Sequence, residues 1–213
     1  MIVSFKHRFI YIKNRKVGGT SLERYLIEKL VDKKTDINTG SYISGYKSNN
    51  IKGKDGKEIT GHLSIFDISK ILKKPLGDLL SYFFIFCIER NSYDKCVSAY
   101  HFHKSKNNTS FNEFIKKRKR VHIPKDWDKY ATNKNIIGNV FQYEDFEKVF
   151  KNLNFKLNLT SKELLSVEEF IGYQDKSAFR PKNISYKEYY DKETKDIVEE
   201  VFKEEIFHFG YKF

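Results

Sequence analysis

The strongest constraint on this chain is local. An apolar run, Ile10-Tyr11-Ile12, leads directly into KNRKVGGTSLERYL. The order is strand, cationic turn, Gly18-Gly19, Thr20-Ser21 and then an amphipathic helix. Glycines without Cβ atoms let a backbone close around an anion, and the new helix aims its free N–H groups and positive dipole end at it. Lys16 adds a mobile positive charge, Val17 supplies backbone, and Thr20 and Ser21 add hydroxyl donors. The pattern departs from G-x-x-x-x-G-K-[ST], because Lys16 comes before the glycines and no lysine follows Gly19. The segment therefore predicts anion binding and argues against ordinary ATP hydrolysis. A second reading needs no ligand: Gly18-Gly19 as a tight turn, with Thr20-Ser21-Leu22-Glu23 as a capping box.

A second segment, YFFIFCIERNSYDKCVSAYHFHK, bears on that choice. The apolar run Tyr82 to Ile88 is short, aromatic and bounded by charge, which predicts a strand buried on both faces of a parallel sheet. Arg90 then falls just past its carboxyl end, where open α/β sheets bind ligands. Asn91, Ser92 and Asp94 supply turn and cap chemistry for a following helix that carries Ser98. Arginine can grip a phosphate with two parallel hydrogen bonds, and Ser98 can add a third. Without a ligand, Arg90 would pair with Glu89 or another nearby carboxylate.

Taken together, these segments resemble the sulfotransferase superfamily. The first is similar to its loop for the 5′-phosphosulfate of 3′-phosphoadenosine 5′-phosphosulfate (PAPS), a lysine just before T-G-G-T-S. The second is similar to its 3′-phosphate motif R-N-P-Y-D-R-x-x-S-A-Y, here Arg90 to Tyr100. The ending SYKEYYDKETKDIVEEVFKEEIFHFGYKF resembles that of the carbohydrate-type branch, and VFQYEDF, Val140 to Phe146, resembles that family's strand ending in R-Y-E-D-L. Four positions depart from the pattern: Val17 for threonine, Ser92 for proline, Gln142 for arginine, and Asp175-Lys176-Ser177 for Asn-Lys-Ser.

The resemblance implies an α/β, P-loop-like three-layer fold, a central parallel sheet flanked by helices. It implies one sulfotransferase-like domain over residues 1–213, with PAPS as co-substrate and no metal. Gly18, Gly19, Thr20 and Ser21, with the Val17 backbone, would hold the 5′-phosphate, and Arg90 and Ser98 the 3′-phosphate. Lys16 would neutralise charge growing on the oxygen that leaves the sulfuryl group. His62 is the candidate general base, since its free pKa lies near neutrality and the Gly61-His62 step resembles a histidine position in uronosyl 2-O-sulfotransferases. His101, His103, Glu58 and Asp67 stand in reserve. The resemblance favours a carbohydrate hydroxyl as acceptor, on an acidic or a neutral glycan, over the hydroxyl of another molecule such as a small alcohol or phenol. The rival readings are a P-loop nucleotide-dependent kinase and a basic nucleic-acid-binding domain, although no zinc spacing or RNA-recognition motif supports nucleic acid.

The rest of the chain sets bounds. Its 213 residues suffice to bury a core, and at 16% aromatic content its cohesion should come from Phe and Tyr. No run approaches the ~20 apolar residues that span a bilayer. MIVSFKHRFIYIK lacks a signal-peptide core because Lys6, His7 and Arg8 interrupt it, so a soluble, cytoplasmic protein is expected. Cys87 and Cys96 are too few for a disulfide scaffold and lack metal-ligand spacing. The net charge of +12 partly answers an anionic cofactor. Lys116-Lys117-Arg118-Lys119-Arg120 exceeds that need, and is either a solvated face or a steering patch for an acidic polymer. Polar Lys33 to Glu58 reads as a rim excursion, and Phe111 to Lys117 and Lys187 to Ile206 read as helices, the latter packed on the sheet.

Overall fold

The computed structural model describes residues 1–32, 34–38, 61–104, 109–117, 123–133, 135–173, 181 and 183–213. The Lys33–Glu58 excursion, apart from its first few residues, lies outside that set, as do Arg118–Arg120 and Asp175–Ser177.

The core is a five-stranded sheet. β1 (Ile2–Ser4) and β2 (Phe9–Ile12) form a hairpin, which explains the charged interruption at Lys6-His7-Arg8: it is the turn. Asp36 fastens this turn, accepting from the Ser4 hydroxyl and the Phe5 N–H, each at 2.7 Å. β3 (Ile37–Asn38) pairs antiparallel with β1 at the outer edge. β4 (Phe84–Glu89) runs parallel to β2, and β7 (Asn139–Gln142) runs parallel to β4. The order is β3-β1-β2-β4-β7. The central strands are thus parallel, as expected, and the sheet extends beyond them through antiparallel β1, which no sequence pattern signals. A two-stranded hairpin, β5 (Ala131–Thr132) with β6 (Asn135–Ile136), stands apart.

Strand side chains alternate between the faces. Phe9, Tyr11, Phe86 and Ile88 point to one layer, where they meet α1 (Gly19–Leu30), α6 (Phe146–Lys156) and α7 (Val167–Ile171). Ile10, Ile12, Ile85 and Cys87 point to the other, against α2 (Ile65–Leu72), α3 (Leu76–Tyr82), Trp127 and Tyr130. β4 is buried on both sides, so its run of apolar residues needs no polar face. Each such Phe or Ile contributes about 1.5–3 kcal/mol of transfer free energy. Cys87 and Cys96 are both buried free thiols.

A third cluster joins α4 (Ser92–Lys104), α5 (Phe111–Lys116) and α8 (Lys192–Val201) through Tyr100, Phe111, Phe114, Ile197 and Val198. The long helix predicted over Lys187 to Ile206 is instead three pieces: a 3-10 turn at Tyr186–Tyr189, α8, and α9 (Lys203–Phe209). Asp191 caps α8 and breaks it from the turn, and Phe202, buried, marks the joint with α9. α8 packs on α4 and α5 rather than on the sheet, whereas Phe209 at the end of α9 joins the sheet-facing cluster and its carbonyl accepts from Gln142 Nε2 of β7 at 3.1 Å. Among the described residues, no helix is long and apolar enough to cross a membrane.

Candidate anion-binding and transfer site

The loop from Lys13 to Gly18 leaves the carboxyl end of β2 and enters α1. Lys16 and Gly18 both have left-handed backbones, with φ of 61° and 66°. Gly18 is the N-cap of α1, and no side chain caps that end. The capping-box reading of Thr20 to Glu23 therefore fails. Glu23 is buried instead between the Lys13 ammonium at 2.6 Å and the Met1 amino group at 2.5 Å, which hold its carboxyl below the usual range. The first-turn N–H groups of α1 have no intrahelical partner, and the first turn contains no acid to repel an anion.

Two glycines let the loop close. A Cβ on Gly18 would lie 3.1 Å from the Tyr143 ring, and one on Gly19 would lie 3.1 Å from the Asn14 carbonyl oxygen. Thr20 and Ser21 are half-buried in the first turn, and Val17 is fully buried, anchoring the loop from beneath.

Arg90 follows β4 and reaches this loop. Its Nη1 donates to the Lys16 carbonyl at 3.3 Å, and its guanidinium lies 4.3 Å over the Tyr143 ring. Nε and Nη2 meet Asp94 Oδ2 at 2.7 and 2.5 Å, so Arg90 does pair with a carboxylate, though not with Glu89. A bound phosphate would compete with Asp94 or share the guanidinium with it. Asp94, Ser98 and Phe102 are spaced four apart along α4 and so share a face. Arg90 contacts this face at Asp94, and the Lys16 ammonium contacts it 4.1 Å over the Phe102 ring. Half-buried Ser98 sits one turn from each. Both sequence segments thus converge at the carboxyl ends of two adjacent parallel strands.

His62 joins them from the opposite layer. Its Nδ1 lies 2.8 Å from the Lys13 carbonyl oxygen. A carbonyl only accepts, so Nδ1 carries the proton and Nε2 keeps a free lone pair. Desolvation first, then the Lys129 ammonium, lowers the His62 pKa below its ordinary 6.5, and because the side chain is exposed, solvent tempers that shift. The ring is neutral near pH 7.

The reserve bases fare differently. His101 is buried, with Nε2 2.8 Å from the Tyr189 hydroxyl, and belongs to the aromatic cluster around α5. The His103 ring lies against Phe102 and Phe114. Asp67 is committed to the N-terminus of α2, accepting from Ser64 N–H at 2.9 Å and Ser64 Oγ at 2.6 Å. Glu58 lies outside the described residues. A groove of about 620 Å³ beside α6, lined by Phe150, Lys151 and Phe155 among others, contains none of the candidate residues. Convergent donors, rather than cavity size, mark this site.

Sequence reading missed a buried ionic cluster beneath the loop. Asp126 pairs with Arg15, Lys95 and Lys129 at 2.8, 3.1 and 2.5 Å. Lys95 also pairs with Glu89 at 2.6 Å. Residues this far apart in sequence leave no periodic signal.

No protein-family model matches the chain, and no curated protein matches it in sequence. Among solved structures, it matches the crystal structure of mouse sulfotransferase SULT7A1 complexed with PAP. The TM-score is 0.56, at 14% sequence identity over 95% of this chain and 86% of that one. The fold is that of a sulfotransferase. At this identity the likeness is one of fold, and it extends over 95% of the chain.

Proposed function

We propose that this protein transfers the sulfuryl group of PAPS to an acceptor hydroxyl, most readily one on a carbohydrate. The observation that carries this reading is the hydrogen bond from Arg90 to the Lys16 carbonyl, which brings two phosphate-binding segments, 74 residues apart, to one place. The sulfotransferase with the same fold is complexed with PAP, adenosine 3′,5′-bisphosphate, and that ligand has two phosphates for two such segments.

The residues fit such a ligand on their own chemistry. The uncapped α1 N-terminus, with Gly18 and Gly19 letting the loop close against Tyr143 and the Asn14 carbonyl and with Thr20 and Ser21 as donors, suits the 5′-phosphate. Arg90 and Ser98 suit the 3′-phosphate, which ATP lacks. PAPS supplies a sulfuryl group on a phosphosulfate anhydride. Lys16 would place its ammonium where negative charge grows on the leaving oxygen, stabilising it electrostatically. His62 Nε2 would accept the acceptor hydroxyl's proton, its other nitrogen fixed by the Lys13 carbonyl. The carbohydrate acceptor is supported by the chain's carboxyl-terminal resemblance to the carbohydrate branch and by its net charge of +12, which suits an acidic glycan.

The test is direct. Purified protein is incubated with PAPS and a panel of neutral and acidic glycans and small alcohols, and release of adenosine 3′,5′-bisphosphate is followed. Glycan-dependent release, abolished in Lys16→Ala, is the expected result. Release driven only by small alcohols would refute the carbohydrate assignment, and ATP-dependent phosphorylation of the same panel would refute sulfuryl transfer.

A further inference from the structure

Beneath the two candidate phosphate sites runs a buried path of charge that ties one to the other. Arg15, immediately before Lys16, is tied twice to Asp126: its backbone N–H donates to Oδ2 at 2.7 Å and its Nε to Oδ1 at 2.8 Å. Arg15 Nη2 also donates to the Lys125 carbonyl. Asp126 is 2% exposed and its carboxyl is held far below the usual range by Lys95, Lys129 and Arg15. Lys95, buried on α4, reaches from Asp126 at 3.1 Å to Glu89 Oε1 at 2.6 Å. That same Glu89 oxygen accepts the Arg90 backbone N–H at 3.0 Å. The path Arg15–Asp126–Lys95–Glu89–Arg90 therefore joins the loop that carries Lys16 to the arginine beyond β4.

Buried ion clusters are a poor source of stability, since desolvation costs several kcal/mol per ion and apolar replacements are often neutral. Their best-attested use is to fix the register of one element against another. We propose that Asp126 is a positioning residue: it sets the spacing between the 5′-phosphate loop and Arg90 so that one bisphosphate engages both. The inference rests on the proposed function, since it takes the ligand to be an adenosine bisphosphate.

The sign of the effect separates positioning from mere charge. Asp126 is an anion close to an anion-binding loop, so by Coulomb's law alone neutralising it would tighten binding of a bisphosphate. Loss of register does the opposite. Arg15→Ala gives a second reading, because it removes the side-chain ties of the loop to Asp126 and to the Lys125 carbonyl, keeps the backbone N–H bond to Asp126, and leaves Asp126 paired with Lys95 and Lys129.

The experiment is calorimetric titration of wild type, Asp126→Asn and Arg15→Ala with adenosine 3′,5′-bisphosphate and with adenosine 3′-phosphate, each variant first checked for folding by circular dichroism. Asp126→Asn is expected to weaken the bisphosphate by about tenfold, within the range of couplings carried by packed networks. Arg15→Ala is expected to weaken the bisphosphate by about the same factor while adenosine 3′-phosphate changes by less than about twofold, because only the 5′-phosphate loop is released. Asp126→Asn that binds the bisphosphate as well as wild type, or better, overturns the inference. Should that variant not fold, Arg15→Ala decides: equal loss for both ligands, or no loss for either, overturns it. If the wild type binds neither ligand, the functional reading falls and takes the inference with it. If the wild type binds and the variants bind equally, the inference falls alone.

Discussion

Gly18→Ala perturbs the loop at the point where backbone strain and a side-chain contact coincide, and Gly210→Ala separates the two. Both glycines have left-handed backbones, at φ 66° and 64°, and each terminates a helix, α1 at its start and α9 at its end. An L-residue in that region costs about 1–2 kcal/mol. At Gly210 nothing lies within 4 Å of a new Cβ, so this backbone cost is the whole effect. At Gly18 the new methyl meets the Tyr143 ring at 3.1 Å, and that ring must shift by a few tenths of an ångström. Tyr143 also lies under the Arg90 guanidinium, so the shift reaches the second phosphate-binding segment. For a chain of this size, ~1 kcal/mol moves Tm by about 2–4 °C. Thermal melts should therefore show similar drops of about 2–8 °C for both variants, with Gly18→Ala at the larger end. Affinity for adenosine 3′,5′-bisphosphate should fall about tenfold in Gly18→Ala, an energy of about 1.4 kcal/mol, and stay at the wild-type level in Gly210→Ala. Gly18→Ala with wild-type affinity would refute the reasoning, because the loop would then not be where the anion binds.

Further outcomes follow from the same geometry. Arg90→Ala removes charge-assisted donors worth about 1.5–3 kcal/mol each and leaves Asp94 facing the site, so bisphosphate affinity should drop by at least about tenfold in a titration; an unchanged affinity would remove Arg90 from the site. His62→Ala should lower kcat by about 10²–10⁴ while leaving bisphosphate affinity intact. Because desolvation and the Lys129 ammonium lower the His62 pKa, the acidic limb of kcat/KM should lie below the free-histidine value, and a limb at or above the ordinary 6.5 would contradict that environment. Glu205 is buried, neither of its carboxylate oxygens has a hydrogen-bond partner among the described residues, and burial with nearby Glu89 raises its pKa to about 7. The folded state thus binds this proton more tightly than the unfolded chain, so the stability it confers is full below the unfolded value of 4.5 and is lost as pH rises through about 7. Glu205→Gln should raise denaturant stability on the order of 2 kcal/mol at about pH 8 and change it little at about pH 4; equal effects at both would refute the assignment.

Some of this architecture is written locally and some is not. The β2 and β4 strands, the loop between β2 and α1, Arg90 at a strand end and the α4 helix are all decided by short-range patterns, and they lie within a few residues of where the sequence puts them. The spacing of Thr20 and Glu23 leaves two readings open, because T-x-x-E is shared by a capping box and by a helix whose glutamate turns inward to meet Lys13 and the Met1 amino group. Which occurs depends on cations from other elements. The break in the carboxyl-terminal helix is encoded by Asp191 and its Thr194 partner, yet the apolar spacing of Ile197, Val198, Val201 and Phe202 suits a continuous helix as well. Asp126 and Arg15 are 111 positions apart, and their pairing depends on how Trp127, Tyr130 and the β5–β6 hairpin fold back on the sheet. The two candidate phosphate-binding segments are legible because each carries its chemistry within a dozen residues. The cluster that joins them is not, because buried ion pairs leave no repeat, period or spacing in a single sequence.

The central claim is that the Lys16 loop and Arg90 form one site for a nucleotide with a phosphate on each side of its ribose. Calorimetric titration with adenosine 3′,5′-bisphosphate, beside ATP and ADP and without magnesium, measures this directly. Tight one-to-one binding of the bisphosphate, with neither ATP nor ADP competing and with loss in Arg90→Ala, is the expected result. Preference for ATP, or no binding of any of the three, would contradict it.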